Sequence, residues 1–333
     1  MLIGVRMSKR LKLAVVGAGH MGKFHAQAIA ESPEAELAVV CDVEAARAAA
    51  VARSHGARVE TDAARLPGAV DAAVIAAATS AHRGLALALL EKGVALLIEK
   101  PLAATPAEAR EIVAAAKRTG TVVQVGHILR FDPVTRAIAG RGVKPAYMEV
   151  SWASPFTFRS MDVGVVMDVL IHGLDVVLHL AGEMPSRVDA VGGAVVGPHE
   201  DFVNVRLEFP GGCVATLTAS RMSRSRQRLV RLFAEGQYVK LDYAARTVEI
   251  VRPRPGLADM IRAGKPPEEG MEALVAVEKV PVEAKPDALR AQLASFFAAV
   301  RGEAPVAVTA EDGARAVEVA DQILKRCARG SPK

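Results

Sequence analysis

The sequence predicts an α/β protein built in two parts. The first part, through about His127, alternates short apolar segments with helical ones, as is typical of a doubly wound parallel sheet. A glycine-rich turn follows the first apolar segment directly. After a helix that ends near Gly182, several strand-like segments follow one another without helices between them. That change indicates a second, α+β part with an open, mostly antiparallel sheet.

Composition narrows the class of protein. The chain has 333 residues, 51% hydrophobic and 24% charged, which suggests two domains of a globular protein. The formal charge of +5 permits anionic partners, but no nucleic-acid-binding motif is present. Cys41, Cys213 and Cys327 are too widely spaced to predict a disulfide framework. No signal peptide or membrane-length apolar segment is visible, so we expect a cytoplasmic protein.

The first strand and its turn carry the strongest signal. Leu11–Val16 is apolar except for Lys12 and suits a buried strand, and Gly17, Gly19 and Gly22 follow with G-x-G-x-x-G spacing. The first glycine of such a turn allows the bend, the second admits a pyrophosphate, and the third lets the next helix pack on the strand. A helix predicted over 21–32 then presents its N-terminus to the phosphates. This order predicts a Rossmann dinucleotide site.

The second predicted strand, residues 36–41, ends in an acid. Asp42 lies about 20 residues past the last glycine, where a carboxylate accepts hydrogen bonds from the adenosine ribose. The same charge would repel the 2′-phosphate of NADP. The sequence therefore favours NAD as the cofactor, although the nearby Arg47 weakens that preference.

The rest of the first part repeats the alternation. We predict helices over 43–54, 81–92 (capped by Ser80) and 105–118, and strands over 57–60, 69–78, 94–98 and 121–125. Ligands of doubly wound sheets bind beyond the carboxyl ends of the strands, so these loops are expected to converge on one crevice. Ten residues there are candidates for cofactor contact: Gly17, Gly19, His20, Met21, Gly22, Asp42, Thr79, His82, Glu99 and Lys100.

The second part begins with a short helix over 134–139 and a strand over 146–153. A strong helix follows over 164–180, and then strands over 187–196, 202–209, 213–220, 226–234 and 238–242. Residues 252–270 are rich in proline and glycine and are expected to form a loop. Helices over 287–301 and 310–326 close the chain.

Lys100 is the first candidate for chemistry. It lies in Glu99-Lys100-Pro101, directly after a predicted strand and on the cofactor side of the sheet. A lysine there could donate a hydrogen bond to a substrate hydroxyl and favour its alkoxide. The alternative is an ordinary surface lysine in a turn.

Asp168, His172 and Asp175 form the second candidate. Their i, i+4, i+7 spacing predicts one narrow face of the 164–180 helix. A carboxylate beside an imidazole suits a general base that is oriented by an acid. The alternatives are a structural histidine, as we interpret His179, or a metal site. No further His/Cys cluster completes a metal site, so we expect none.

A basic segment follows in the predicted sheet. It contains five arginines: Arg221, Arg224, Arg226, Arg228 and Arg231. Alternation along a strand predicts one basic face that could hold a diphosphate. A solvated or subunit-contact face is the alternative. Two polar candidates and three aromatic residues, which we interpret as core, precede the 164–180 helix: Arg159, Asp162, Trp152, Phe156 and Phe158.

Four segments together resemble the Gfo/Idh/MocA oxidoreductases, which include glucose–fructose oxidoreductase and inositol dehydrogenase. They are VGAGHMGKFHA from Val16, EKP from Glu99, GHILRFDP from Gly126, and D-x-x-x-H-x-x-D from Asp168. The resemblance covers nearly the whole chain. It implies an NAD-binding Rossmann domain over 1–127 and a substrate-binding and oligomerisation domain over 128–333. It also implies that Lys100, Asp168 and His172 surround the reacting carbon. Ala78 stands where the family commonly has proline.

The GHILRFDP segment is also similar to a narrower group, the UDP-N-acetylglucosamine 3-dehydrogenases. Asp132 replaces the asparagine common there. The 159–177 segment and the arginines resemble members associated with the UDP-2,3-diamino sugars of lipid A. Those enzymes oxidise the C3 hydroxyl of the UDP-amino sugar to a ketone, which an aminotransferase then converts.

This narrower resemblance implies an NAD-dependent dehydrogenase that acts at C3 of a UDP-N-acetylhexosamine and forms a homodimer or homotetramer. The candidates for substrate contact are His127, Arg130, Arg159, Asp162 and Arg224. Two alternatives stay open. One is oxidation of a free sugar, an inositol or another polyol by the same fold. The other is a non-catalytic dinucleotide-binding sensor.

Overall fold

The computed structural model describes residues 10–156, 163–264, 274–283 and 287–330. They fall into two compact units. One unit combines the chain up to Phe131 with Asp287–Glu318, and the other combines Asp132–Pro286 with the chain from Val319 onward.

The first unit is built on a six-stranded parallel sheet. Its strands are β1 (Leu11–Val16), β2 (Ala35–Cys41), β3 (Arg58–Glu60), β4 (Ala72–Ile75), β5 (Ala95–Ile98) and β6 (Val123–Val125). Their order is β3-β2-β1-β4-β5-β6, and every pairing is parallel. The predicted doubly wound sheet is therefore confirmed. Because the order reverses between β1 and β4, the ligand crevice of such a fold lies beyond their carboxyl ends.

Four helices connect these strands: α1 (His20–Ala30), α2 (Ala45–His55), α3 (Thr79–Leu90) and α4 (Pro106–Thr119). Local sequence explains their bounds. At α4 the Thr105 hydroxyl accepts the Glu108 N–H at 3.2 Å, Pro106 occupies the first turn, and Gly120 ends the helix in a left-handed conformation. The predicted cap of α3 is wrong, because the helix already begins at Thr79 and its N-cap is Ala78.

The second unit carries an eight-stranded sheet. After α5 (Pro133–Arg136) and β7 (Pro145–Ala153), a π-helical turn at Val166–Leu170 runs into α6 (Ile171–Ala181). The other elements are β8 (Arg187–Gly193), β9 (Phe202–Glu208), β10 (Val214–Ser220), β11 (Gln227–Ala234), β12 (Gln237–Asp242), β13 (Thr247–Pro253), α7 (Leu257–Ala263) and β14 (Val275–Val280).

The sheet order is β14-β13-β12-β11-β7-β10-β9-β8. Among its described pairings only β7 with β10 is parallel, which confirms a mostly antiparallel sheet. The prediction of a loop over 252–270 is wrong in its first half, because β13 extends to Pro253 and α7 follows at Leu257–Ala263. Gly256 and Gly264, both left-handed, lie at the two ends of α7. The glycines that suggested a loop are therefore helix ends.

The last two helices are α8 (Ala288–Val300) and α9 (Ala310–Gly330). Leu293, Phe296 and Phe297 of α8 lie in the same buried cluster as Leu13 and Val15 of β1. Fully burying such a side chain contributes about 1.5–3 kcal/mol. For this reason residues 287–318 belong to the first unit, and the second unit differs from the continuous 128–333 domain expected from the sequence.

Candidate functional site

In the glycine turn of the first unit, two of the three glycines are closely packed and one lies beside open space. Gly17 has φ +99°, and a Cβ there would lie 2.6 Å from the backbone of Ala76 and Ala77. A Cβ at Gly22 would lie 1.8 Å from the Gly17 carbonyl oxygen. Gly19, the N-cap of α1, has no atom within 4 Å of such a Cβ. The first and third glycines are therefore required by packing, while the second leaves its backbone approachable beside a helix N-terminus.

The Glu99-Lys100-Pro101 turn follows β5 and is anchored by its glutamate. Oε1 of Glu99 lies 2.7 Å from Nε2 of His25 on α1, and both side chains are buried. Oε2 of Glu99 accepts the main-chain N–H of Lys100 at 3.2 Å. A Cβ at Gly126 would lie 3.0 Å from Glu99, so glycine is needed after β6. Lys100 itself is half-buried and precedes a cis peptide bond to Pro101.

His82 joins the loops that follow β4 and β5. Its buried ring places Nδ1 3.0 Å from the Pro101 carbonyl oxygen and Nε2 3.1 Å from that of Ala77. Both nitrogens contact protein oxygens, so His82 supports the crevice instead of offering a ring nitrogen to the cofactor. The predicted cofactor residue Thr79 begins α3, three residues before His82.

The loop after β6 carries two of the predicted substrate residues. His127 is buried, and its main-chain N–H donates to the Val125 carbonyl at 2.9 Å. Arg130 is half-buried on the 3₁₀ turn Ile128–Phe131 that follows. Every predicted site residue of the first unit therefore lies on a loop or helix start after β1, β2, β4, β5 or β6, all at the carboxyl edge of the sheet.

In the second unit the predicted acid–base helix begins with a π-helical turn. Asp168 lies within that turn, and His172 lies in the first turn of α6. Both are half-buried, whereas Asp175 is 1% exposed and His179 is exposed. The wider π turn changes the angular spacing assumed from an ideal α-helix. Asp175 is less exposed than Asp168 and His172, and the shared face of the three residues stays a prediction.

Family comparisons agree with this architecture. The model described as "Oxidoreductase family, NAD-binding Rossmann fold" matches residues 11–127, and the GFO/IDH/MocA C-terminal domain matches residues 108–239. The chain belongs to the Gfo/Idh/MocA family of oxidoreductases. It is accordingly an NAD-dependent oxidoreductase with an N-terminal Rossmann fold.

Individual members of the family show different degrees of similarity. The UDP-N-acetylglucosamine 3-dehydrogenase of Acidithiobacillus ferrooxidans is 35% identical over 94% of this chain and 96% of its own length. A solved structure of that protein has a TM-score of 0.85, covering 96% of this chain and 98% of the other. The scyllo-inositol 2-dehydrogenase of Bacillus subtilis is 31% identical over 65% of this chain and 69% of its own.

The acidic residue that directly follows β2, Asp42, fits the NAD cofactor of the family. Asp42 is buried, and its carboxylate accepts the N–H groups of Ala18 at 2.7 Å and Glu44 at 2.9 Å. Burial, followed by the charges of Glu60, Asp42 and Asp62, raises the pKa of Cys41 to about 11. Arg47, which weakened the preference for NAD, forms an ion pair of 2.7 Å with Glu44. A 2′-phosphate would therefore meet negative charge.

Glu200, Asp201 and Arg221 together form a clamp that holds the start of the helix carrying Asp168 and His172. The sequence did not predict these contacts. Glu200 accepts the N–H of Val165 through its carbonyl (2.9 Å) and that of Val166 through Oε1 (3.1 Å). Next to it, Asp201 pairs with Arg221 at 2.6 Å, Nε to Oδ1, with both side chains buried. Arg221 also donates to the Val163 carbonyl at 3.0 Å. No local signal marks these contacts, which span 20 to 58 residues.

The donors around Asp201 in this clamp favour the ionised form of its carboxylate. Burial alone would raise the pKa of Asp201, but the N–H groups of Val196 and Val195 and the Arg221 guanidinium hold that pKa well below its usual range. The carboxylate therefore stays ionised. As a consequence, Arg221 is committed to a structural pair and is not one of the surface arginines of a diphosphate site.

The arginines do not form the predicted single basic face. Arg224 and Arg226 are exposed before β11 begins. Arg228 faces the inner side of the sheet opposite Trp152, whereas Arg231 faces the outer side and pairs with Glu149 at 2.7 Å. Burial and the charge of Arg226 lower the pKa of Arg228, and Asp168 and Asp132 oppose that shift. The charge of Arg228 therefore acts at the acid–base helix.

The aromatic residues before that helix are core in part. Trp152 is 1% exposed and packs edge-on against Tyr243, with the two ring centroids 5.5 Å apart. The Arg221 guanidinium lies 6.0 Å from the centroid of the Phe156 ring. Phe158, Arg159 and Asp162 lie outside the described residues.

Neither a metal-binding cluster nor a membrane-length helix is found among the described residues. Across residues 10–156, 163–264, 274–283 and 287–330, no group of three or more His, Cys, Asp or Glu side chains is placed to hold a metal ion. In the same residues we find no helix with the length and apolar character needed to cross a membrane.

Proposed function

We propose that this protein oxidises the C3 hydroxyl of UDP-N-acetylglucosamine to a ketone, with NAD as the hydride acceptor. The observation that carries the proposal is the near full-length similarity to the Acidithiobacillus ferrooxidans UDP-N-acetylglucosamine 3-dehydrogenase. The inositol dehydrogenases that match over nearly the whole chain are less similar, at 26–29% identity. Oxidation of a polyol is therefore the second candidate.

Oxidation of a secondary alcohol removes a proton from the hydroxyl and a hydride from its carbon. NAD supplies the carbon that accepts the hydride. We assign the proton to His172, with the Asp168 carboxylate stabilising the imidazolium that forms. The Lys100 ammonium would stabilise the developing alkoxide. The products are the C3 ketone, NADH and one proton.

The substrate's diphosphate needs cationic or N–H donors. Arg224 supplies an exposed guanidinium, and Arg130 supplies a half-buried one beside His127. We propose these three residues as substrate contacts. The same role is proposed from the sequence for Arg159 and Asp162.

We further propose a cytoplasmic homo-oligomer that associates through the outer face of the second sheet. Three large apolar side chains are exposed on that face, Val191 (56%), Phe202 (41%) and Phe233 (40%). The Phe233 ring also stacks between Tyr147 at 5.7 Å and Tyr238 at 5.1 Å. Aromatic residues of this kind are enriched in protein interfaces. An aminotransferase would consume the ketone, and a role in lipid A synthesis would follow from that.

Deuterium transfer tests the proposed reaction at the level of one atom. Purified protein is incubated with NAD and UDP-N-acetylglucosamine deuterated at C3, with hydroxylamine present to trap the ketone. We expect a trapped 3-keto product and deuterium in the NADH. Unlabelled NADH would place the oxidation at another carbon. Turnover of myo-inositol or free N-acetylglucosamine, with none of the UDP-sugar, would favour the second candidate.

A further inference from the structure

The buried imidazole of His82 is enclosed by two hydrogen-bond acceptors. Its Nδ1 lies 3.0 Å from the Pro101 carbonyl oxygen and its Nε2 3.1 Å from the Ala77 carbonyl oxygen. The ring is 1% exposed, so water does not substitute for either partner. The Ala77 carbonyl belongs to the loop after β4, and the Pro101 carbonyl belongs to the turn after β5 that carries Lys100.

Carbonyl oxygens accept hydrogen bonds and cannot donate them. A neutral imidazole has one N–H and one bare nitrogen, so it can donate to only one of these two oxygens. Its other nitrogen would then direct a lone pair at a carbonyl oxygen about 3 Å away, which leaves two buried acceptors facing each other. An imidazolium carries a proton on each nitrogen and satisfies both contacts. The geometry at His82 therefore matches the doubly protonated ring.

His25 provides a contrast within the same crevice. Its Nε2 faces the Glu99 carboxylate at 2.7 Å, while its buried Nδ1 has no hydrogen-bond partner among the described residues. One proton, on Nε2, is sufficient for that contact. The two histidines thus hold opposite ends of the Glu99-Lys100-Pro101 turn, His25 through Glu99 and His82 through Pro101, but with different proton requirements.

We propose that His82 is a positioning residue for Lys100, acting as an imidazolium that ties the Pro101 carbonyl to the Ala77 carbonyl. This inference rests on the proposed function only where it makes Lys100 catalytic. His82 contacts main-chain oxygens and does not touch the reacting atoms. Loss of either ring proton removes one of the two hydrogen bonds and releases one side of the turn.

Charged groups lie on most of the elements packed around His82. Near β5 these are Glu99 and Lys100. The other elements packed on α3 contribute Glu108 and Glu111 of α4, and Asp62 and Arg65 at the 3₁₀ turn Ala63–Arg65. Arg83 on α3 itself bonds to Glu111 at 2.8 Å, and β4 carries no charged residue.

The ring protons can be observed directly, without any assay of turnover. The ¹⁵N signals of histidine-labelled protein at neutral pH report whether each ring nitrogen carries a proton, and the spectrum of His82→Gln assigns the signals of His82. We expect protons on both nitrogens of His82. A single ring proton would overturn the proposal, whatever substrate the enzyme uses.

Two variants then test the consequence for Lys100. His82→Phe keeps the ring but has no N–H, and His82→Gln can donate to one carbonyl at most. Arg83→Gln, the next residue on α3, controls for weakening of the helix, because it removes only an exposed ion pair with Glu111. Hydrogen–deuterium exchange of the peptide containing Lys100 is measured for all three, together with kcat, KM and NAD affinity.

We expect faster exchange at the Lys100 peptide in both His82 variants and a kcat about 10- to 100-fold lower, because small misplacements of a catalytic group cost that much. KM and NAD affinity should stay within about twofold, and Arg83→Gln should match wild type. Unchanged exchange in both His82 variants would refute the positioning role. If no sugar is turned over, the proposed function fails, while the exchange and ¹⁵N results still decide the role of His82.

Discussion

Nε2 of His25 and Oε1 of Glu99 lie 2.7 Å apart in the interior of the first unit, joining α1 to the turn that carries Lys100. Because α1 begins at the glycine turn, this contact connects the cofactor end of the sheet to the candidate catalytic lysine. Removing one partner of a buried hydrogen bond typically costs about 1–3 kcal/mol, and more where the remaining group is charged, because that group loses its partner away from water.

We therefore expect His25→Ala to lower the free energy of unfolding by an amount near that range. Glu99→Gln should cost less, because the amide oxygen still accepts from Nε2 of His25. Urea denaturation followed by circular dichroism measures both. Equal losses in the two variants would contradict this expectation, because they would show that the neutral amide oxygen does not replace the carboxylate.

Lys100→Ala should reduce kcat by about 10²- to 10⁴-fold, the range of a positioned acid–base group. NAD affinity, measured by titration, should change little. Lys92→Ala is a matched control, because Lys92 is an exposed lysine just before the same strand, β5. Full activity in Lys100→Ala would remove this lysine from the reaction.

Asp42→Asn should weaken NAD binding about tenfold, equivalent to roughly 1.4 kcal/mol. It should also reduce the preference of the protein for NAD over NADP. The asparagine has one oxygen where the carboxylate has two, so it cannot accept both the Ala18 and Glu44 N–H groups. Titrations with NAD and NADP provide the comparison, and Glu36→Gln serves as the control, because Glu36 is an exposed acid on the preceding strand, β2. A weaker affinity for both cofactors in equal proportion would assign Asp42 to the turn alone.

Most of the first unit could be predicted because its signals are local. Gly17, Gly19 and Gly22 lie within six residues, and Thr105 with Gly120 delimits α4 through capping alone. The central strands are mostly apolar because helices cover both faces of a parallel sheet. Such features need no knowledge of distant contacts.

The features that sequence reasoning missed depend on long-range packing. The return of α8 to the first unit depends on Phe296 and Phe297 meeting β1, almost 300 residues earlier in the chain. Arg221 looked like its basic neighbours, yet it is buried against Asp201. The π turn at Asp168 is too short to leave a periodic pattern in the sequence by which it could be recognised. Pairing between distant residues decides these outcomes, and a single sequence does not encode it locally.

The Asp201–Arg221 pair predicts a specific dependence of stability on pH. The pKa of Asp201 is held below its ordinary value of about 3.9 in the folded state. The stabilisation is therefore fully present above about pH 4 and is lost as the pH falls through and below that value. Asp201→Asn should be less stable than wild type at pH 7, and the difference should shrink below about pH 4. Denaturation series at both pH values measure it, and a constant difference would contradict the assignment.

Arg228 and Arg231 provide a matched pair for the last prediction, because they lie on one strand but on opposite faces. Arg228 is half-buried opposite Trp152, where Asp168 and Asp132 favour its charge, whereas Arg231 pairs with Glu149 on the outer face. Arg228→Gln takes a cation away from two carboxylates where the surroundings screen poorly.

We expect Arg228→Gln to lower kcat/KM about tenfold, roughly 1.4 kcal/mol of transition-state stabilisation, with partial recovery in Arg228→Lys, which restores the charge but not the planar donor geometry. Arg231→Gln should stay within about twofold, because partly exposed ion pairs contribute little. Steady-state kinetics with the UDP-sugar compares the three. If Arg228→Gln and Arg231→Gln behave alike, the inner-face charge does not act on the helix that carries Asp168, and the arginines contribute only through the general charge of the strand.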